Sequence, residues 1–164
     1  MIMNPYTLLK LMRIKQWSKN LLILAPLFFA GVVFVSQPLL NSLLAFLVFS
    51  FASSLVYILN DLFDRESDSL HPIKKLRPIA SGSITFAQAR WVIVFLSIGI
   101  LFLTYFLLFI ILPIIIYILL NGAYSAWFKH IPVLDVVCVS IFYIIRIIVG
   151  GLAASVYVSP WIIL

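Results

Sequence analysis

The chain has 164 residues, of which 65% are apolar and 10% charged, with a mean hydropathy of +1.22. Soluble domains carry about 25% charged residues, so this composition excludes an ordinary globular domain, a disordered segment and a basic nucleic-acid-binding module. Eleven Lys and Arg against five Asp and Glu give a formal net charge of +6. In so apolar a chain that excess fits basic residues on the cytoplasmic side of a membrane, facing anionic lipid or an anionic substrate.

Residues 5–19 mix apolar and basic positions and predict a short helix lying at the interface, with Trp17 at headgroup level. Residues 20–35 are almost all apolar and predict a first span. Lys10, Arg13, Lys15 and Lys19 before it, and Ala30-Gly31 within it, give it the outline of a signal peptide. The apolar run continues past Ala30 to Val35 and further spans follow, so an uncleaved membrane helix is the better reading. Ser36-Gln37-Pro38 is an uncharged turn, and 39–59 a second span. A polar segment follows from Asn60 to about Gly82. Residues 91–128 carry no charge and are about twice one span in length, with a hairpin expected near 106–113 around Pro113. Residues 133–157 predict a fifth span. The single Cys138 lies inside it and reads as packing. Gly150, Gly151, Ala153, Ala154 and Ser155 read as close helix contact.

Charge supports this count. With the N-terminal segment cytoplasmic, two spans bring Arg65, Lys74, Lys75 and Arg77 back to that side and two more bring Lys129 there, while the opposite turns are uncharged. Only Arg146 falls within a span, where it must face the bundle interior or a wet cavity. Leu164 closes what looks like the opening of a sixth span, so the chain reads as the N-terminal part of a longer protein, all in one transmembrane domain over 1–164.

Four of the five acids lie within residues 61–68. If the second span continues as a helix, Asp61, Asp64 and Asp68 stand at i, i+3 and i+7 on one face, with Asn60 beside them and Glu66 turned away. Three carboxylates on one face repel and call for cations. Magnesium suits them, since it takes oxygen ligands and joins one or two carboxylates to substrate phosphates. The alternative is a solvated helix end with scattered acids. Lys74, Lys75 and Arg77 follow closely. They serve either as topology signals or as grips on phosphate oxygens, and Arg77 favours the second role because its planar fork binds phosphate bidentately.

Asn60, Asp61, Asp64 and Asp68 match N-D-x-x-D-x-x-x-D, and Arg77, Pro78 and Gly82 match R-P-x-x-x-G. In these motifs the chain resembles the UbiA superfamily of intramembrane prenyltransferases. Arg13-Ile-Lys-Gln-Trp17-Ser-Lys19-Asn20, His71-Pro72-Ile-Lys74, the stretch from Tyr124 to Asp135 and Arg146 with Gly150-Gly151 make it more similar to the superfamily's phosphoribosyltransferase branch. The resemblance implies an all-α, polytopic transmembrane helix bundle of about nine spans, of which about five are present. The second acidic motif of the family has no counterpart in these 164 residues.

The resemblance further implies a Mg²⁺-dependent transferase moving a 5-phosphoribosyl group from phosphoribosyl diphosphate to a polyprenyl phosphate. Asp61, Asp64 and Asp68 would hold the metal with Asn60 assisting. Lys74, Arg77 and Lys129 would contact phosphate, Arg13 and Lys19 the phosphate of the lipid acceptor, and Tyr124, Asp135 and Arg146 the substrate. The implied partners are a polyprenyl lipid, a diphosphate-bearing co-substrate and the bilayer, not nucleic acid, with a homo-oligomer left open. The implied location is the inner or plasma membrane, with the Asp-rich segment 60–82 cytoplasmic. The alternatives are a prenyltransferase acting on an aromatic acceptor and, outside enzymes, a transporter subunit or an inactive fragment.

Overall fold

The computed structural model describes residues 4–128 and 131–162, and these are mainly helical, joined by turns and short irregular stretches, with no strand among them. Helix α1, Pro5–Leu11, is started by Asn4, whose side-chain oxygen accepts the Tyr6 N–H at 3.0 Å. The chain then turns through Arg13, whose φ of 51° lies in the left-handed region. A 3₁₀ segment, Ile14–Leu24, runs into α2, Ala25–Phe29.

The expected first span over 20–35 is therefore not one long α-helix. Pro26 has no N–H to continue a ladder from the preceding turn, and Gly31 ends the run at φ 69°. The segment nevertheless travels along the bundle. Arg13 meets Asp61, Trp17 meets Ser54 and Asn20 meets Ser50. This antiparallel register follows eleven residues of the next helix, or roughly 16 Å at 1.5 Å per residue.

That helix, α3, covers Ser36–Phe63. Its 28 residues reach roughly 42 Å, more than the hydrocarbon thickness of about 30 Å, so it is long enough to cross an apolar layer with its polar last turn outside. A short α4, Arg65–Leu70, and a 3₁₀ turn, Lys74–Leu76, follow. Thr85 and Gln88 form a reciprocal cap that starts α5, Phe86–Tyr105. The hairpin comes where expected: α5 stops at Tyr105, and a 3₁₀ turn, Leu108–Ile110, leads into α6, Ile111–Ala126. Pro113 sits in the first turn of α6, where a missing N–H costs little. Helix α7, Pro132–Ala154, ends at Ser155 with φ 55°.

Among the described residues, four helical stretches are long and apolar enough to cross a membrane: α3, α5, Leu108–Ala126 and α7. The fifth expected crossing is the broken course Ile14–Phe29. Helices α3 and α7 form the centre, about half buried, whereas α5 and α6 expose most of their apolar surface. The core packs Phe49, Val48 and Ile58 of α3 against Leu96, Ile110, Ile23 and Val149. Gly150 lets α7 touch the 3₁₀ segment, since a Cβ there would lie 2.1 Å from the Ile23 carbonyl oxygen.

This arrangement separates charge by end. Arg13, Asp61, Asp64, Asp68, Lys74 and Arg77 gather at the C-terminal end of α3. The opposite turns, 30–35, 106–110 and 155–159, contain no Asp, Glu, Lys or Arg.

Candidate active site

The polar end of α3 is built by two basic segments folding onto it. Ser54, fully buried one face-repeat below Asp61, donates to the Met12 carbonyl at 2.7 Å and accepts the Trp17 indole N–H at 3.0 Å. This clamps the left-handed turn at Arg13. The Arg13 guanidinium then lies over the Tyr57 ring at 4.5 Å, and its Nη2 donates to Asp61 Oδ1 at 2.6 Å. Tyr57 and Asp61 are one helical turn apart, so one guanidinium covers both.

The second segment carries Arg77. His71 Nδ1 accepts the backbone N–H groups of Ile73 and Lys74 at 3.2 and 3.3 Å, and Lys10 Nζ donates to the Leu76 carbonyl at 3.0 Å. Held this way, Arg77 Nη1 reaches Asp61 Oδ1 at 3.2 Å and Asp68 Oδ2 at 2.5 Å. Lys74 Nζ stands 3.9 Å from Asp68 Oδ1. Asp61 and Asp68 are each only 2% exposed, and carboxylates so buried need cations. Arg13, Arg77 and Lys74 supply those cations.

Asp64 differs. Helix α3 ends just before it and α4 begins just after it, although its N–H still bonds the Asn60 carbonyl and its own carbonyl accepts the Asp68 N–H. Half-exposed, it lines a cavity of about 450 Å³ with Asn60. Val56, Leu59 and Phe63 of α3 and Ile118, Gly122, Ser125 and Ala126 of α6 complete the wall.

Spacing alone puts Asp61, Asp64 and Asp68 on one helical face, and the structure gives the three different surroundings. The helix breaks at Asp64, Asp61 and Asp68 share Arg77, and Asp64 with Asn60 faces the cavity. Among the described residues no group of three His, Cys, Asp or Glu side chains lies close enough to hold a metal. Asp64 and Asn60 remain a pair of hard oxygen donors at a cavity, which fits an ion that takes most of its ligands from phosphate.

Other predicted site residues lie elsewhere. Arg146 is buried in mid-span, as expected, but among the described residues it meets no carboxylate and does not line the cavity. Its Nε donates to Asn20 Oδ1 at 2.9 Å and its Nη1 to the Phe142 carbonyl at 2.6 Å. The rings of Phe49, Tyr117 and Tyr143 surround it at 5.0–5.5 Å. Asn20 in turn donates to Ser50 and Ser53. Counted along α3, this cluster is roughly 12–16 Å from Asp61. Lys19 lines a separate open groove with Phe28, Phe29 and Tyr143, away from Arg13. Tyr124 donates to Asp135 Oδ1 at 2.7 Å, a pair at the charged end but outside the cavity wall. Glu66 is exposed, as read from the sequence. Lys129 lies outside the described residues.

A model of the UbiA prenyltransferase family matches residues 21–164. The chain belongs to the UbiA prenyltransferase family. It is 37% identical over 162 residues to a decaprenyl-phosphate phosphoribosyltransferase of Corynebacterium glutamicum, covering 96% of this chain and 49% of the relative. A protein of the same name from Mycobacterium tuberculosis (strain ATCC 25618 / H37Rv) is 38% identical over 160 residues, covering 94% of this chain and 53% of that one. The nodulation protein NoeC of Azorhizobium caulinodans is 32% identical over 146 residues, with 86% and 46% covered. The chain spans about half the length of the curated relatives it matches. Family and apolar helices together make this UbiA member an integral membrane protein with a polytopic helical fold.

Proposed function

We propose that the protein is a Mg²⁺-dependent intramembrane transferase that moves a 5-phosphoribosyl group from phosphoribosyl diphosphate to a polyprenyl phosphate. The observation that carries this is the meeting of Asn60 and Asp64, on an apolar-walled cavity, with the ion-pair cluster of Arg13, Asp61, Arg77, Asp68 and Lys74 at the C-terminal end of α3. The printed names of the Corynebacterium and Mycobacterium relatives support the phosphoribosyl donor and the lipid acceptor.

In this reading the bond between the donor's C1 and the diphosphate oxygen breaks, and its electron pair leaves with diphosphate. An oxygen of the acceptor phosphate supplies the pair that forms the new C1–O bond. Asp64 and Asn60 would hold the magnesium ion. When bound, the ion neutralises charge on the leaving diphosphate. Arg77 and Lys74 supply N–H donors for the remaining phosphate charge, and Arg13 does the same from the other side of Asp61. Asp61 and Asp68 orient the arginines. Lys129 completes the phosphate contacts, and Tyr124 with Asp135 orients substrate at the same end of the bundle. Lys19, on its open groove, meets the lipid phosphate, while Arg146 acts by holding the 3₁₀ segment that carries Arg13. The interfacial segment 5–19, the Asp-rich segment 60–82 and the rest of 1–164 work as one transmembrane domain, in the plasma membrane with the charged end cytoplasmic.

Prenyl transfer from a prenyl diphosphate to an aromatic acceptor is the second reading, and the family description favours it. The test offers the natural gene product labelled phosphoribosyl diphosphate, polyprenyl phosphate and Mg²⁺. Labelled lipid is the expected product. Its absence, together with transfer from a prenyl diphosphate to an aromatic acceptor, rejects the phosphoribosyl reading.

A further inference from the structure

Gly122 lies inside α6, where glycine lowers helix stability relative to alanine. The usual structural reasons for it are missing. Its φ is not among the positive values, and a Cβ placed on it meets nothing within 4 Å among the described residues. Gly150 shows the contrast, with the Ile23 backbone directly against it. Gly122 itself lines the cavity whose wall also includes Asn60 and Asp64. Ser125, three positions on and therefore on the same helical face, brings a hydroxyl to that wall.

We infer that Gly122 is a specificity-determining residue: its missing side chain makes room for the transferred group of the donor, a pentose ring whose hydroxyls find a partner in Ser125. The inference rests on the phosphoribosyl reading above. If Asp64 and Asn60 mark the diphosphate end of the donor, the atoms bonded to that diphosphate belong to the transferred group and occupy this same cavity. A side chain at position 122 would project into the cavity space that the transferred group occupies in this reading.

The test uses Gly122→Ala and Gly122→Val in the natural gene product, reconstituted in lipid nanodiscs. Thermal unfolding is measured, and steady-state kinetics are run with donor and acceptor varied separately. Gly122→Ala is expected to hold or raise the unfolding midpoint while raising the donor KM severalfold. Gly122→Val is expected to cut kcat/KM for the donor by about tenfold or more, with the acceptor KM unchanged. A lower midpoint for Gly122→Ala shows that the glycine serves packing and overturns the inference. So does a change confined to the acceptor KM, or kinetics equal to wild type in both variants. Running wild type with both phosphoribosyl and prenyl diphosphate separates the two levels. Wild-type activity with the prenyl donor alone rejects the phosphoribosyl reading and with it the pentose assignment, while unchanged kinetics of both variants on whichever donor wild type uses rejects Gly122 as a determinant.

Discussion

Arg77 Nη1 donates to Asp68 Oδ2 at 2.5 Å, and the same nitrogen reaches Asp61 Oδ1 at 3.2 Å. One guanidinium thereby joins two buried carboxylates that lie on either side of the break at Asp64. Arg77→Ala leaves that pair facing each other with Arg13 and Lys74 as the remaining cations. Removing one partner of a buried pair costs about 3–5 kcal/mol. Arg77 is 27% exposed, so a loss of about 2 kcal/mol is expected. Thermal unfolding checks it, and Arg77→Lys should restore part of the stability but not the paired contact.

Asp64 should separate activity from stability. Because it is half-buried on the cavity wall while Asp61 and Asp68 are almost fully buried, Asp64→Ala is expected to lower kcat/KM by about 10²–10³ with a smaller change in unfolding midpoint than Asp61→Ala. Binding of Mn²⁺, followed by electron paramagnetic resonance in the presence of the diphosphate donor, should fall in parallel. Asp61→Ala should lose stability as well as activity. Equal behaviour of the two variants would contradict the division of the acidic motif.

Arg146 is expected to be a structural residue. Arg146→Ala strands Asn20 Oδ1 and empties the space between three aromatic rings, at a cost of about 2–4 kcal/mol. In variants that still fold, the donor KM should stay within about twofold of wild type, a shift under about 0.5 kcal/mol. A selective rise in that KM would place Arg146 in the substrate site instead.

Gly150→Ala should behave as the opposite of Gly122→Ala. The added Cβ would sit 2.1 Å from the Ile23 carbonyl oxygen, so α7 and the 3₁₀ segment must part, at about 1–3 kcal/mol or more. Reduced yield of folded protein and a lower unfolding midpoint are the checks.

Much of the bundle was legible because hydropathy and charge are read residue by residue. The runs that became α3, α5, α6 and α7 are long and apolar, and the hairpin between α5 and α6 follows from a charge-free stretch twice a span in length. The broken first crossing was signalled by Pro26, but its register against α3 depends on Trp17, Asn20, Ser50, Ser53 and Ser54 finding one another across the chain. The serines gave a usable signal, since small polar residues in an apolar helix commonly bond a neighbouring helix. In the site, helical spacing placed the three aspartates on one face, whereas the arginines and the break at Asp64 decided where each carboxylate went. Ser54, Tyr57 and Gly122 escaped notice because their roles exist only once another element is packed beside them.

The charge-free turns at 30–35, 106–110 and 155–159 have a consequence for biogenesis. With the charged end cytoplasmic, as proposed, these are the segments that would be carried through the bilayer as the helices insert, and none would bring an ionised group into the hydrocarbon. In that proposed orientation every charge in Asn60–Gly82 would stay on the side where synthesis began. An arginine introduced at Val32 or Leu107 would oppose translocation of its hairpin, so damage to this protein can arise during insertion, before any folded contact is made.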